Sequence, residues 1–366
     1  MKISSVKVGL LKAPLTTPFK TALRTVDSLE DVIVIIETET GLMGFGEAPP
    51  TAAITGETID SLLADLTGPI RQALVGQDLD DPKAVFEALD HALGPHHSSA
   101  KAAADIAIYD LLGQMEGKAV CEMLSNHPKD KLITDLTISV NDPEIMAEDA
   151  RKAVERGFTT LKIKVGVNPD LDLARLSTVR KAVGKDINIR IDANQAWTPE
   201  QAVELINRMG DEGICPEFVE QPVNAHDLEG LAYVTKHSPY PIVADESCFT
   251  VDDAVRIYDE HLADMVNIKL MKCGGLHQAL RITDAAERAH AECMIGCMLE
   301  AKVSVDAAIA LAAAKDCITR IDLDGPALLA KDPVLGGSTF NGPEIIVGKG
   351  KGFGIEKIED LELLDL

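Results

Sequence analysis

Apolar and polar residues alternate along roughly the first 48 positions with the two-residue period that is typical of β-strands. Ile3, Val6 and Val8 lie in one such stretch, and residues 32–38 form a second one. A glycine-rich turn is expected at 41–46, directly after the second stretch. The pattern predicts a small antiparallel sheet at the start of the chain.

The period becomes helical after about residue 58. Four apolar residues follow one another at intervals of four, as expected for one face of a helix. They are Leu62, Leu66, Ile70 and Leu74. An alanine-rich run at 100–112 predicts a further helix. Residues 1–125 are therefore expected to form an α+β domain.

Short apolar stretches alternate with helical ones from residue 132 onward. The predicted strand cores are 135–140, 159–165, 187–192, 216–220, 241–245, 265–269, 292–297 and a last one near 319–324. They recur about every 24 to 28 residues, the length of one strand–helix unit. No glycine-rich dinucleotide turn follows the first strand, so a closed parallel (β/α)8 barrel is favoured over an open doubly wound sheet. We expect this barrel over 126–325, and a glycine-rich tail, 326–366, that returns to the N-terminal domain.

The charge of the chain limits its partners. Its 59 acidic and 35 basic side chains give a net charge of -24, which repels nucleic acid and anionic membranes. The chain has no apolar run of the length that spans a membrane and begins with no signal-type segment. Seven cysteines without paired zinc spacing are expected to be buried thiols in a reducing compartment. The prediction is a cytoplasmic protein that binds neither nucleic acid nor membrane.

The segment 159–166, TTLKIKVG, places two lysines inside a predicted strand. Because side chains alternate between the two faces of a strand, Lys162 and Lys164 point to the side opposite Leu161 and Ile163. Two ammonium groups in one interior require carboxylates or a metal-bound anion nearby. On this strand alone, a surface strand with its lysines in water is an equal alternative.

Three acidic residues end successive predicted strands, in INIRIDAN, PEFVEQP and PIVADES. They are Asp192, Glu220 and Asp245. One such residue is weak support for a site, since Asp often caps a following helix. Three in successive strands would converge at the barrel mouth and provide the oxygen ligands that magnesium prefers.

Two lysines are predicted to face each other across this metal. Lys164 ends the second strand and Lys269 ends the sixth, and strands four apart in a ring of eight lie on opposite sides. Opposed bases suit a 1,1-proton transfer, in which one removes an α-proton and the other returns it to the opposite face. The metal and Lys162 would stabilise the enolate charge. The prediction is racemisation or epimerisation.

The motifs KIK, DAN, VEQP, ADES and NIKLMKCGG, in this order, resemble those of the enolase superfamily and of its muconate lactonising subgroup. The resemblance covers the whole chain and implies a modified barrel with an N-terminal capping domain. It also implies one Mg2+ per active site and a homo-oligomer. The roles that it implies are bases for Lys164 and Lys269, carboxylate stabilisation for Lys162, and metal binding for Asp192, Glu220 and Asp245.

Features of the last two strands narrow the range of activities expected within the subgroup. The seventh strand ends in Cys297 and Met298 without a histidine, and His290 precedes it, which disfavours a lysine–histidine pair of mandelate racemase type. In IDLDGP, Asp322 and Asp324 resemble the acids with which dipeptide epimerases bind the α-ammonium of their substrate. The alternative for this pair is a helix or turn cap.

Two segments of the capping domain, PFKTALRTV and EAPPTAAITGET, resemble the loops that close over the site in this family. Arg24 stands where epimerases of L-Ala-D/L-Glu carry a clamp for the side-chain carboxylate, and its alternative is a surface arginine. Thr137, Cys297 and Met298 are further expected contacts of the substrate.

The resemblance implies an epimerase of L-Ala-Glu, a small dipeptide of bacterial cell-wall turnover. Muconate cycloisomerase, o-succinylbenzoate synthase and N-acylamino acid racemase are the alternatives within the subgroup. A cycloisomerase or an o-succinylbenzoate synthase would bind no ammonium group, so that Asp322 and Asp324 would lack a role. A non-catalytic homologue would be expected to have lost one of the lysines or acids, and all are present.

Overall fold

Three antiparallel strands open the chain: β1 (Ile3–Lys20), β2 (Thr25–Thr38) and β3 (Met43–Ala48). The structure is a computed structural model and describes residues 1–20, 25–94, 96–166 and 168–366. The predicted antiparallel sheet is confirmed. The glycine-rich turn is wrong in part, because Gly44 and Gly46 lie within β3.

Among the residues that the structure describes, five α-helices and one π-helical turn follow in the N-terminal domain. They are α1 (Ile59–Asp65), the π-turn Leu66–Ile70, α2 (Arg71–Leu74), α3 (Pro82–Ala92), α4 (Ser98–Glu116) and α5 (Val120–Leu124). All four apolar residues spaced by four, from Leu62 to Leu74, are buried. In a regular α-helix this spacing drifts by about 40° per step, and the wider π-turn compensates for the drift. Pro69 lies in this turn and lacks the N–H that an α-turn would use.

The barrel consists of eight parallel strands with helices between them. After a short strand, β4 (Lys131–Ile133), the elements are β5 (Leu136–Ile138), α6 (Pro143–Glu155), β6 (Thr160–Lys164), α7 (Pro169–Val183), β7 (Asn188–Asp192), α8 (Pro199–Asp211), β8 (Phe218–Glu220), α9 (Leu228–His237), β9 (Ile242–Ala244), α10 (Val251–Asp259), β10 (Met265–Ile268), α11 (Leu270–Cys273), α12 (Leu276–Arg288), β11 (Cys293–Gly296), α13 (Lys302–Ala314), β12 (Ile318–Asp322) and α14 (Gly325–Leu328). All eight predicted strands are present, and the predicted barrel is confirmed.

The ring of strands is nearly closed. In the described residues the ladders run without interruption from β5 to β12, and β5 and β12 meet through single hydrogen bonds. The Asp135 N–H donates to the Ile321 carbonyl over 3.3 Å, and the Leu323 N–H donates to Thr134 Oγ1 over 2.9 Å. The strand ends therefore face one shared mouth.

The tail contains five short strands, β13 (Val334–Gly336), β14 (Thr339–Asn341), β15 (Glu344–Ile346), β16 (Ile355–Ile358) and β17 (Glu362–Leu364). β14, β15 and β4 form one antiparallel sheet, and β13 pairs with β16. β17 pairs with β1, so the tail does return to the N-terminal sheet. The domain boundaries at 125 and 325 stay predictions.

The structure describes all seven cysteines. All seven cysteines are free thiols. Their predicted burial is wrong for Cys215, which is exposed in the loop before β8. No helix of the described part of the chain combines the length and the apolar character needed to cross a membrane.

Candidate active site

Strand β6 directs its two lysines into the barrel. Leu161 and Ile163 pack outward in the core, and the Lys162 and Lys164 side chains are only 1% and 9% exposed. The predicted counter-charges are present, because Lys162 Nζ contacts three carboxylates. Its partners are Glu220 Oε2 at 2.7 Å, Asp322 Oδ2 at 2.7 Å and Asp192 Oδ2 at 3.2 Å. The alternative of a surface strand is excluded.

Lys164 and Lys269 lie on opposite sides of the ring, on β6 and directly after β10. Lys164 Nζ is 2.5 Å from Asp192 Oδ2. Lys269 Nζ is 2.6 Å from Asp245 Oδ2. Both side chains line the same cavity at the barrel mouth. A small molecule in this cavity can therefore be approached by an amine from either side.

The three acids predicted as metal ligands converge. Asp192, Glu220 and Asp245 are fully buried, and one carboxylate oxygen from each lies within 4.8 Å of the others. None of them caps the following helix, since Thr198, Asp227 and Thr250 have that role. Three convergent carboxylate oxygens match the hard, oxygen-only ligand set of magnesium. The residues present therefore fit this ion.

Burial and mutual repulsion govern the protonation of these acids. Burial, and then the neighbouring Asp192 carboxylate, raise the pKa of Glu220 to about 7. Burial would also raise the pKa of Asp192, but Lys164 and Lys162 outweigh it and lower that pKa to about 2. The cluster thus needs nearby positive charge to stay ionised, and the lysines provide it.

The carboxylates in turn hold protons on two of the lysines. Burial alone would lower the pKa of Lys162, but Asp322 and Glu220 outweigh it and raise the pKa. Burial likewise acts on Lys269, and Asp245 reverses its effect. Lys162 and Lys269 are therefore ammonium groups in this arrangement.

The capping domain covers the cavity with both predicted segments. Phe19 comes from the first segment, and Thr51, Ala53 and Ile54 come from the second. Arg24 belongs to the first segment but lies outside the described residues. The cap therefore contributes mainly apolar contacts to the described part of the cavity.

Asp322 and Asp324 also line the cavity, together with Thr137. The Thr137 N–H donates to Asp324 Oδ2 over 2.6 Å. Asp324 stands at the N-cap position of α14 but makes no side-chain capping bond, so the cap alternative is not observed there. Burial and then Asp322 raise the pKa of Asp324 to about 6, which marks a place where an added positive charge would be stabilised.

Strand β11 ends at Gly296, before the predicted end at Cys297 and Met298. Cys297 and Met298 follow it directly and line the cavity, while His290 is exposed before the strand, at its other end. Leu299 and Leu328 also line the cavity. These two leucines were not predicted, because nothing in their local pattern separates them from core residues.

Two further polar residues at the site were not predicted. Asn267 shares the strand face of Lys269, two positions away, so the two-residue period could have indicated it. Lys272 lies one turn later, in α11, and its sequence context does not distinguish it from a surface lysine. Both contact the acidic cluster.

Two protein families match consecutive parts of the chain. Residues 5–125 match the mandelate racemase / muconate lactonizing enzyme N-terminal domain. Residues 145–361 match the enolase C-terminal domain-like family. The two matches correspond to the cap and to the barrel with most of the tail.

Individual relatives match over nearly the full length. The chain is 48% identical over 360 residues to the L-Ala-D/L-Glu epimerase of Clostridium acetobutylicum, which covers 98% of this chain and 100% of that protein. It is 45% identical over 359 residues to the hydrophobic dipeptide epimerase of Enterococcus faecalis, with coverage of 97% and 99%.

Two solved structures superpose closely. A substrate-liganded L-Ala-D/L-Glu epimerase from Bacillus subtilis gives a TM-score of 0.95 at 44% identity, and covers 98% of this chain and 99% of that chain. The dipeptide epimerase from Enterococcus faecalis, complexed with Mg and L-Leu-L-Tyr, gives 0.92 at 44% identity, with coverage of 98% and 100%.

Proposed function

The chain belongs to the mandelate racemase / muconate lactonizing enzyme family of the enolase superfamily, and we propose that it is a magnesium-dependent epimerase of dipeptides. The proposed substrate is L-Ala-L-Glu, and the proposed reaction inverts its C-terminal residue. One observation carries the proposal: the cavity between Lys164 and Lys269 also contains the carboxylate pair Asp322 and Asp324. Opposed amines suit inversion at carbon, and paired acids suit an ammonium group.

Asp192, Glu220 and Asp245 would hold one Mg2+. When bound, this ion stabilises the negative charge that develops on the substrate carboxylate as the α-proton leaves. Lys162 adds a fixed positive charge on the same side. Its Nζ is held by three carboxylates, Asp192, Glu220 and Asp322, so Lys162 would act as a fixed electrostatic group.

Lys164 and Lys269 move the proton. In the L to D direction, the Lys164 amine takes the α-proton from one face of the carbon, and the Lys269 ammonium delivers a proton to the other face. The raised pKa of Lys269 agrees with the proton-donor role. In the D to L direction the two residues exchange roles, as a reversible reaction requires.

Asp322 and Asp324 would bind the α-ammonium of the first residue. A cycloisomerase or an o-succinylbenzoate synthase has no use for this pair, so both rank below an epimerase. The side chain of the second residue would point to the cap, where Arg24 is the proposed partner of a Glu carboxylate. The apolar lining by Phe19 and Ile54 supports a second candidate, an epimerase of hydrophobic dipeptides, like the Enterococcus relative.

The reaction can be tested with a small dipeptide library in deuterated water, with magnesium, followed by mass spectrometry. We expect deuterium at the α-carbon of the C-terminal residue and formation of the epimer, with L-Ala-L-Glu among the best substrates. Chelation should abolish the activity and magnesium should restore it. No exchange with any dipeptide would refute the proposal, and selective turnover of hydrophobic dipeptides would favour the second candidate. Cell-wall peptide recycling, a cytoplasmic location and homo-oligomeric assembly stay predictions.

A further inference from the structure

The three proposed metal ligands share one arrangement of their oxygens. Each carboxylate has one oxygen that contacts a polar group other than the three cavity lysines, Lys162, Lys164 and Lys269. The pairs are Asp192 Oδ1 with the Asn194 N–H at 3.0 Å, Glu220 Oε1 with Asn267 Nδ2 at 2.7 Å, and Asp245 Oδ1 with Lys272 Nζ at 2.6 Å.

The remaining oxygen of each acid faces the lysines of the cavity. Asp192 Oδ2 and Glu220 Oε2 contact Lys162 Nζ, and Asp245 Oδ2 contacts Lys269 Nζ. One oxygen of each acid therefore contacts the cavity lysines, and the other contacts a group outside that set. The second contact holds each carboxylate from a direction that the cavity lysines do not provide.

Lys272 is placed to support Asp245. Its side chain is only 1% exposed, and its ammonium group does not line the substrate cavity. Nζ forms an ion pair with Asp245 Oδ1 at 2.6 Å, and it donates to the Asp245 carbonyl at 2.5 Å and to the Asn267 carbonyl at 2.9 Å. Three oxygens therefore surround the ammonium group. Lys272 thus fixes both the main chain and the side chain of Asp245.

Asn267 is placed to support Glu220. Its side chain is fully buried, and Nδ2 donates to Glu220 Oε1. Gly296 on the next strand leaves room for it, since a Cβ there would lie 2.9 Å from Asn267 Oδ1. Asn267 and Lys272 both come from the stretch formed by β10 and α11. The stretch formed by β10 and α11 therefore contacts acids at the ends of two other strands, β8 and β9.

We propose that Asn267 and Lys272 are positioning residues of the proposed metal centre, which hold the Glu220 and Asp245 carboxylates in place for Mg2+. The proposal rests on the proposed function, because it requires the three acids to bind this ion. It concerns metal affinity directly and does not depend on which dipeptide is the substrate.

A purely electrostatic role and a positioning role of Lys272 predict opposite changes in magnesium affinity when the residue is replaced. A nearby ammonium group repels a divalent cation, so if only its charge mattered, Lys272→Met would tighten magnesium binding. If Lys272 positions Asp245, the same change should weaken binding, because the carboxylate loses its fixed partner. Substitution of such outer partners typically weakens metal binding by about 10- to 100-fold. The sign of the change therefore separates the two roles.

The experiment is calorimetric titration of metal-free protein with magnesium chloride. We expect Lys272→Met to weaken binding by about 10- to 100-fold and Asn267→Ala by about tenfold. Lys272→Arg keeps the charge but cannot place one nitrogen on three acceptors, so it should also weaken binding. The matched control is Lys302→Met, which removes a side chain that is 7% exposed and paired with Asp332, away from the acids. This control should bind magnesium like the wild type.

The outcomes are distinguishable. If wild-type protein binds no magnesium, the proposed metal site fails. If the wild type binds and Lys272→Met binds equally well or more tightly, the positioning role fails. Should Lys272→Met not fold, Asn267→Ala decides, since it removes no charge, and unchanged affinity there overturns the proposal. Thermal melting gives a second readout, because weaker binding reduces the stabilisation that a given magnesium concentration produces.

Discussion

The two proposed bases are held by different acids. Lys164 contacts Asp192, and Lys269 contacts Asp245, so that either lysine can be removed without taking away the partner of the other. Both substitutions leave a buried carboxylate with one cation fewer. Variants that lack Lys164 or Lys269 are therefore comparable. Any difference between their activities reports on proton transfer at the two faces of the substrate α-carbon.

We predict that Lys164→Ala and Lys269→Ala each abolish epimerisation, with a loss of at least about 100-fold. In deuterated water each variant should still exchange the α-proton of one epimer, because the remaining base serves its own face. By the family resemblance, Lys269→Ala should exchange the L epimer and Lys164→Ala the D epimer. Proton NMR of the separate epimers measures this. Interconversion at nearly the wild-type rate in Lys269→Ala would mean that Lys269 is only an electrostatic group.

Arg24 is predicted from the family resemblance as the partner of a substrate Glu side chain. A bidentate guanidinium–carboxylate contact is worth roughly 1.5 to 3 kcal/mol. Arg24→Ala should therefore lose about tenfold to a hundredfold in kcat/KM for L-Ala-L-Glu. Steady-state assays with L-Ala-L-Leu provide the control, which should change much less. Equal losses on both dipeptides would assign Arg24 to the fold or to closure of the cap.

At the scale of elements, glycines in β3 determine how closely helix α4 approaches the sheet. A Cβ at Gly46 would lie 1.8 Å from the Ala103 carbonyl oxygen, and a Cβ at Gly44 would lie 2.2 Å from that of Ala107. Both obstacles are backbone atoms of α4, so they cannot move alone. The helix can therefore reach this distance only because β3 carries glycine at these positions.

Gly46→Ala should lower the free energy of unfolding by about 1 to 3 kcal/mol or more, as expected for overpacking. Urea denaturation followed by circular dichroism measures it. Gly210→Ala in helix α8 is the control, since its Cβ would meet only the Tyr240 hydroxyl at 3.2 Å. The control should change stability by less than about 1 kcal/mol. Equal stability of Gly46→Ala and wild type would show that α4 shifts at no cost.

Local periodicity predicted the elements better than it predicted their contacts. The barrel strands, the inward lysines and the three acids follow from the period of two and from strand order, which are properties of neighbouring residues. The role of Gly46 in packing and the contacts of Lys272 depend on groups that are distant in sequence. Asp245, for example, precedes Lys272 by 27 positions. Such contacts become visible only when the fold has brought the strands together.

At the scale of the whole molecule, the cap and the barrel are joined by buried carboxylates at helix N-termini. Glu47 of β3 accepts from the Ala301 N–H at 2.7 Å and from the Ser304 N–H at 2.9 Å, at the start of α13. Asp105 of α4 accepts from the Leu276 N–H at 2.5 Å, at the start of α12. These carboxylates accept hydrogen bonds from N–H groups that have no partner within the helix, and their negative charge is stabilised by the positive end of the helix dipole.

Glu47→Ala should lower the free energy of unfolding by about 1 to 3 kcal/mol, because buried N–H groups lose their acceptor. It should also lower kcat/KM, since Glu47 precedes Thr51 and Ile54 of the cavity in the same segment. Thermal melting and steady-state kinetics measure the two effects. Glu39→Ala, at an exposed position, is the control and should change neither. Normal stability of Glu47→Ala would contradict the joining role.

The junction between β12 and β5 links substrate binding to local opening of the barrel. The barrel sheet closes where β12 and β5 meet, beside the proposed substrate cavity. One hydrogen bond at this junction joins the Thr137 N–H of β5 to Asp324, which follows β12. Local opening of the barrel should therefore begin at this junction. A substrate ammonium group bound to Asp324 should hold the junction closed. Amide hydrogen exchange at Thr137 and Leu323 should be faster than at Ile191, and a bound dipeptide should slow it.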